Sequence, residues 1–235
     1  MAKYLLGTSS YGVSSYQLAQ KLNIRQATAW HLRHRVSEFF KDDLLSTLLS
    51  GVVQSDEAVI GGRNQFRHRD KKYAWIKGEA GKDKTWILGL ASNDDAYVRV
   101  FVIPNRKAKT LIDIILKNIA SGATIVTDDY LGYKRLWERY THIITKMKGN
   151  FRYKTDEGFH TNRIEGFWTH LKRAYKGVYH HMSRKHLQRY CDEVCFRYNN
   201  SGLGDFYLFE KLMNNIPRGT LRYKDLVGKN SKKAA

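Results

Sequence analysis

The chain has 235 residues, of which 42% are hydrophobic and 13% aromatic, enough for one large domain or a small and a medium one. Its 41 lysines and arginines against 22 acids give a formal charge of +19, which points to a polyanion partner, nucleic acid before a membrane surface or ribosome-like scaffold. No run of about 20 apolar residues and no basic-then-apolar leader is seen, so neither a membrane span nor a secreted product is expected.

Residues 13–40 read as two helices joined by a tight turn, resembling a helix-turn-helix. Ser14 is placed to cap the first, with Gln17 as its capping-box partner. Leu18, Ala19 and Leu22 form the apolar face, "LNI" is the turn, and the second helix starts near Arg25. Arg25, Gln26 and Thr28 at that start have side chains able to reach base edges and phosphates. An ordinary helical hairpin with a basic surface is the plainer reading.

Residues 51–62, 85–92 and 96–104 have strand patterns, the last two joined through Asn93, Asp94 and Asp95 as a hairpin. An amphipathic helix (108–120), a short buried strand (123–129), a helix (133–140) and a fifth strand (141–146) follow. Residues 161–177 then form a helix, and 184–199 a last long one. Three strands, then helix, strand, helix, strand, helix, is the order of an RNase H-like α/β core, a mixed five-stranded sheet flanked by helices. Cys191 and Cys195, spaced four apart in the last helix, read as core residues in a reducing cytosol.

The helix at 161–177 has an apolar stripe of Ile164, Trp168, Leu171 and Tyr175, yet Glu165 sits inside it and Lys172 follows seven residues on. Asp56 lies in the first strand and Asp128 at the end of the fourth, where ligands gather in such sheets. Three converging carboxylates would repel unless cations lay between them. Hard oxygen ligands select Mg²⁺ or Mn²⁺. Two such ions can activate a water or a 3′-hydroxyl and stabilise the leaving oxygen in phosphoryl transfer. Taken singly, each acid also has a structural reading, as a turn former or an ion-pair partner.

The blocks "SDEAVIGG", "TDDYLGY" and "TNRIEGFWTHLKRAYKGVYHHMSRKHLQRYCDEVCFRYN" resemble those of the DDE transposases of bacterial insertion sequences, in the ISXO-like group related to Merlin elements. The similarity spans about residues 12–230. It implies Mg²⁺-dependent cleavage and joining at terminal inverted repeats, with Asp56, Asp128 and Glu165 as the three catalytic acids and metal ligands. It also implies a homodimer or larger assembly on double-stranded DNA, in a bacterial cytoplasm at the nucleoid. Strand alternation predicts that only one of Asp56 and Glu57, and one of Asp128 and Asp129, enters the site. Asn162 is the alternative third ligand.

Lys172 is expected to hold a phosphate next to the scissile bond. Glu193 and Arg197 resemble an acid–arginine element of the family, with Arg197 a DNA contact, though a helix salt bridge explains them equally. His160, His170, His180 and His181 are candidate DNA contacts or proton carriers, with a structural role preferred. The basic stretch 61–84 has eight Lys/Arg against three acids; Arg63, Arg67, Arg69, Lys71 and Lys72 would grip DNA, with Phe66, Tyr73 and Trp75 stacking. The tail "SKKAA" is expected to be disordered. Many relatives carry a Cys-rich zinc module ahead of the helix-turn-helix, and no cysteine precedes Cys191 here, so repeat recognition is expected to rest on residues 1–45 and the basic stretch. The expected division is a DNA-binding region at 1–45, a catalytic domain at 46–200 containing the insertion 61–84, and a C-terminal extension at 201–235. A nuclease or resolvase on the same fold, and a non-catalytic DNA-binding relative, are the competing readings.

Overall fold

The computed structural model describes residues 1–41, 47–61, 69, 84–145, 147–148, 151–152, 155, 158–215 and 219–228. Arg63, Arg67, Lys71, Lys72, Phe66, Tyr73, Trp75 and the tail 231–235 lie outside the described residues.

β1 (Val52–Ile60), β2 (Thr85–Ser92) and β3 (Val98–Ile103) form an antiparallel meander. α4 (Ala108–Asn118) crosses over to β4 (Thr124–Thr127), which pairs parallel with β1, and β5 (Thr141–Ile144) pairs parallel with β4. The resulting order β3-β2-β1-β4-β5 is that of an RNase H-like core. Alternation along β2 sends Ile87 to one face and Leu88 to the other, so the sheet is covered twice. On one side lie α5 (Asn162–Ala174) and α6 (Leu187–Asn199), packed through Ile164, Phe167, Leu171 and Val194. On the other lie α4 and a helical segment, through Leu111, Ile115, Tyr133 and Leu136. That segment, Leu131–Glu138, is a 3-10 helix, and α5 continues as a single π turn over Tyr175–Tyr179.

β3 is an edge strand, and α6 closes it. Asn199 accepts from the Val98 N–H (2.8 Å) and donates to the Val98 carbonyl (2.9 Å). Gln188 accepts from the Val102 N–H (2.8 Å) and donates to the Val100 carbonyl (2.7 Å). Two side-chain amides thus occupy backbone groups that would otherwise template pairing with another chain.

The N-terminal region is helical: α1 (Ala2–Thr8), α2 (Ser15–Leu22) and α3 (Gln26–Val36). Ser14 and Gln17 make the capping box of α2, and Asn23 ends it in the left-handed conformation. Leu6, Val13, Leu18, Ala29, Val36 and Phe40 form the region's core, which Leu212 of α7 (Asp205–Asn214) completes. The C-terminal segment therefore packs into the N-terminal one. A short α8 (Tyr223–Val227), an antiparallel pair of β6 (Met147–Lys148) and β7 (Phe151–Arg152), and 3-10 turns at Ser37–Phe40 and Arg184–His186 complete the described elements.

Between these helices and the core lies a buried charge network. Arg33 of α3 and Arg197 of α6 both bond to Glu193, which also accepts from the Tyr179 hydroxyl at 2.7 Å. Arg33 further donates to the Val13 carbonyl (3.2 Å), and its guanidinium lies 4.2 Å from the Tyr190 ring centre.

Candidate metal centre

The centre forms where β1 outruns β4. The last paired residues are Gln54 and Val126, so past Thr127 the sheet opens beside Asp56. Asp56 is 7% exposed, and its Oδ2 accepts from the Trp168 indole N–H at 3.0 Å. Trp168 reaches it because the residue opposite Asp56 on β2 is Gly89; a Cβ there would stand 2.7 Å from the indole. The Ile164 N–H, in the first turn of α5, donates to the buried Gln54 Oε1 at 3.1 Å and fixes the helix against β1. Asp128 follows β4 directly, its Oδ1 accepting from the Tyr130 N–H at 3.1 Å in an Asx turn.

One oxygen from each of Asp56, Glu57 and Asp128 lies within 4.8 Å of the others, the one such acidic group among the described residues. Alternation was expected to admit only one of Asp56 and Glu57, and the motif pointed to Asp56; both lie in the acidic group. The alternation itself holds, since Asp56 meets Trp168 while Glu57 faces Tyr133 across the sheet. With no β4 residue paired beyond Gln54, carboxylates from both faces come together at Asp128. Asp129 is exposed and outside the group. Burial pushes the Glu57 carboxyl up to about 7, helped by the Asp128 and Asp56 charges and opposed by Tyr133 and Arg106. Its Oε1 is buried without a hydrogen-bond partner.

Glu165 is not in that group. It is half-buried in the first turn of α5, accepting from Thr161 Oγ1 at 2.8 Å, one turn before the Trp168 that holds Asp56. Asn162 is exposed at the start of the same helix. Lys172 is exposed further along, in an open groove of about 770 Å³ with Tyr11, Thr169, Arg173 and Lys176. His170 stacks on Tyr11 with ring centres 4.9 Å apart, His160 accepts from the Asn162 N–H (3.4 Å), and His180 and His181 are exposed.

The remaining candidates separate. Arg25 and Thr28 are exposed, whereas Gln26 donates to Ser15 Oγ at 2.9 Å inside the motif. Arg69 is exposed. Arg197 is corrected: at 6% exposure, with its guanidinium on Glu193 and the Leu6 carbonyl, it has no face for a phosphate. Cys191 and Cys195 are buried, the Cys191 thiol pushed up by burial. Arg106 and Trp168 were not read as site residues; Trp168 looked like a core stripe because an indole satisfies both roles.

The donor set fits a divalent cation. Carboxylate oxygens from three residues crowd together, one of them buried and unpartnered, in the manner of a hard-cation site.

The sheet is RNase H-like, and acids gather at the opened end of β1 and β4. The family model for the ISXO2-like transposase domain matches residues 48–199, and the chain belongs to that family of DDE transposases. No curated protein sequence matches the chain. Among solved structures it is similar to the catalytic core domain of BIV integrase, at 12% identity and TM-score 0.38 over 70% of this chain and 97% of that one. The HTLV-2 integrase catalytic core domain in complex with magnesium is similar at 10% identity and TM-score 0.37, over 69% and 98%. A pre-cleavage Mos1 transpososome follows at 12% and 0.34, over 86% and 70%. No helix among the described residues is long and apolar enough to cross a membrane.

Proposed function

We propose that the protein cuts DNA at the terminal inverted repeats of its element and joins the freed ends to target DNA. The observation that carries this is the meeting of Asp56 and Asp128 at the opened sheet end, within a chain of this family. Asp56, Asp128 and Glu165 are the proposed ligand set, with Glu57 beside them and Asn162 the alternative to Glu165. Mg²⁺ or Mn²⁺, two ions per site, would supply Lewis acidity to the attacking and leaving oxygens of the phosphodiester when bound. Trp168 holds the Asp56 carboxylate in one orientation. Lys172 and its groove take the adjoining DNA backbone. In the first step water attacks the phosphorus at the element end and the 3′-oxygen leaves. In the second that 3′-hydroxyl attacks a target phosphodiester, whose own 3′-oxygen leaves. Both are in-line displacements needing no covalent protein–DNA intermediate. α3, through Arg25 and Thr28, and the basic stretch with Arg69 are the proposed contacts to the repeats. Two ends must be held together, so a dimer or larger assembly on DNA is proposed.

The test is a strand-transfer assay with labelled terminal-repeat DNA, target plasmid and Mg²⁺ or Mn²⁺. Glu165→Gln, Asn162→Ala and Glu57→Gln are run beside the wild type. Loss of joined products with Glu165→Gln but not Asn162→Ala is expected, at about a hundredfold or more. Cleavage without joining would favour a nuclease. Binding without chemistry in either metal would leave a non-catalytic relative.

A further inference from the structure

Arg106 stands in the turn between β3 and α4, exposed and carrying no carboxylate partner among the described residues. It is nonetheless held. Its guanidinium carbon lies 4.2 Å from the Tyr130 ring centre and 5.0 Å from that of Trp86. The Tyr130 hydroxyl donates to the Arg106 carbonyl at 2.9 Å, tying the backbone as well. Tyr130 also donates its own N–H to Asp128 Oδ1 at 3.1 Å. A single residue therefore links the acidic centre to the arginine. The Arg106 charge is felt at Glu57, a member of the same group.

Contact with two aromatic rings restrains a guanidinium and leaves its N–H edge available. Among the described residues that edge donates to no side chain or carbonyl. An oriented, fully charged fork beside an acidic centre matches the geometry of phosphate recognition. A disordered surface arginine would pay an ordering cost on each encounter, and two aromatic rings have already met it here.

Resting on the reading of this site as one that acts on DNA, we propose that Arg106 is a phosphate clamp. It contacts a backbone phosphate of the strand lying at Asp56 and Asp128, and Trp86 and Tyr130 pre-orient it. This is a second grip, from the β3–α4 side, opposite the α5 groove of Lys172.

The test uses the full chain and a terminal-repeat duplex in Ca²⁺, with single phosphates near the cut replaced one at a time by neutral methylphosphonate. Wild type is expected to lose about tenfold to a hundredfold in affinity at one position, the scale of one charge-assisted contact. Arg106→Ala should show that loss already on unmodified DNA and lose nothing more at that position. Arg106→Lys should recover only part, since an ammonium has no plane to stack. Melting temperatures of the variants should match the wild type. Equal sensitivity of wild type and Arg106→Ala at every phosphate would overturn the clamp. Cleavage in Mg²⁺, run in parallel, reads the proposed function separately: phosphate coupling without cleavage keeps the clamp and removes the transposase chemistry, and absence of DNA binding removes both.

Discussion

Glu57 makes the centre sensitive to pH in a defined direction. Its carboxyl is raised from 4.5 to about 7 by burial and its acidic neighbours, so the fold favours the protonated form. That contribution is complete below about 4.5 and is lost as pH climbs to about 7. Asp192 has the same sign, raised from 3.8 to about 7 by burial. His34 and His186 oppose them, lowered by burial to about 2 and about 4, so their contribution stands above 6.5 and is lost as pH falls. Variants separate these terms. Glu57→Gln should melt with the wild type at pH 5 and be more stable at pH 8, by up to about 2 kcal/mol. Mg²⁺ should close that gap, because a cation offsets the same repulsion. Asp192→Asn should behave alike but ignore Mg²⁺. Thermal melts at the two pH values, with and without Mg²⁺, give the answer; a Glu57→Gln gap that Mg²⁺ leaves untouched would remove Glu57 from the centre. Asp56 and Asp128, which meet in the acidic group, were picked out in the sequence by the blocks they stand in, since strand pattern alone treats Asp56 and Glu57 alike. Glu57 was not, because alternation assumes a continuous sheet, and where β4 stops is a matter of packing rather than of local pattern.

The docking of α5 on β1 and β2 is the element on which the centre depends. Gly89 is its weak point. A methyl group there would stand 2.5 Å from Ile164 Cδ1 and 2.7 Å from the Trp168 ring, and both belong to the helix. Gly89→Ala should therefore cost about 1–3 kcal/mol of stability, as overpacking does. It should lower strand transfer by more than it lowers DNA binding, because the displaced indole is the donor to Asp56. Trp168→Phe removes that donor together with the pyrrole half of the buried indole, so the rate should fall with a stability loss of about 1–3 kcal/mol. Melting curves beside single-turnover rates check both; a Trp168→Phe rate equal to wild type would make Trp168 a packing residue alone. The five strands and their helices were readable because period and turn chemistry are local signals. α1, α7 and α8 were not read; α1 and α7 are held by one shared core that includes Leu6 and Leu212 rather than by a local signal. Nor was the π turn that brings Tyr179 to Glu193.

At the scale of the molecule, the Glu193 network joins the N-terminal helices to the helix that covers the sheet. Arg33 belongs to α3, the helix that starts at the exposed Arg25 and Thr28, while Glu193 and Arg197 belong to α6. Two guanidinia share one carboxylate, and Arg33, Glu193 and Arg197 are 2%, 0% and 6% exposed. Neutralising the shared partner leaves two buried cations facing each other, the arrangement in which breaking a buried pair is most destabilising. Glu193→Gln keeps the shape and the acceptor oxygen, so its effect isolates the charge. A loss of about 3–5 kcal/mol is expected. Because the network spans both parts of the chain, the loss should appear as one transition at lower temperature. Two separated transitions, with the N-terminal helices melting first and the sheet unchanged, would show that the network is local to α3. A single shifted transition would mean that the placing of the N-terminal helices and the packing of the sheet depend on the same buried carboxylate.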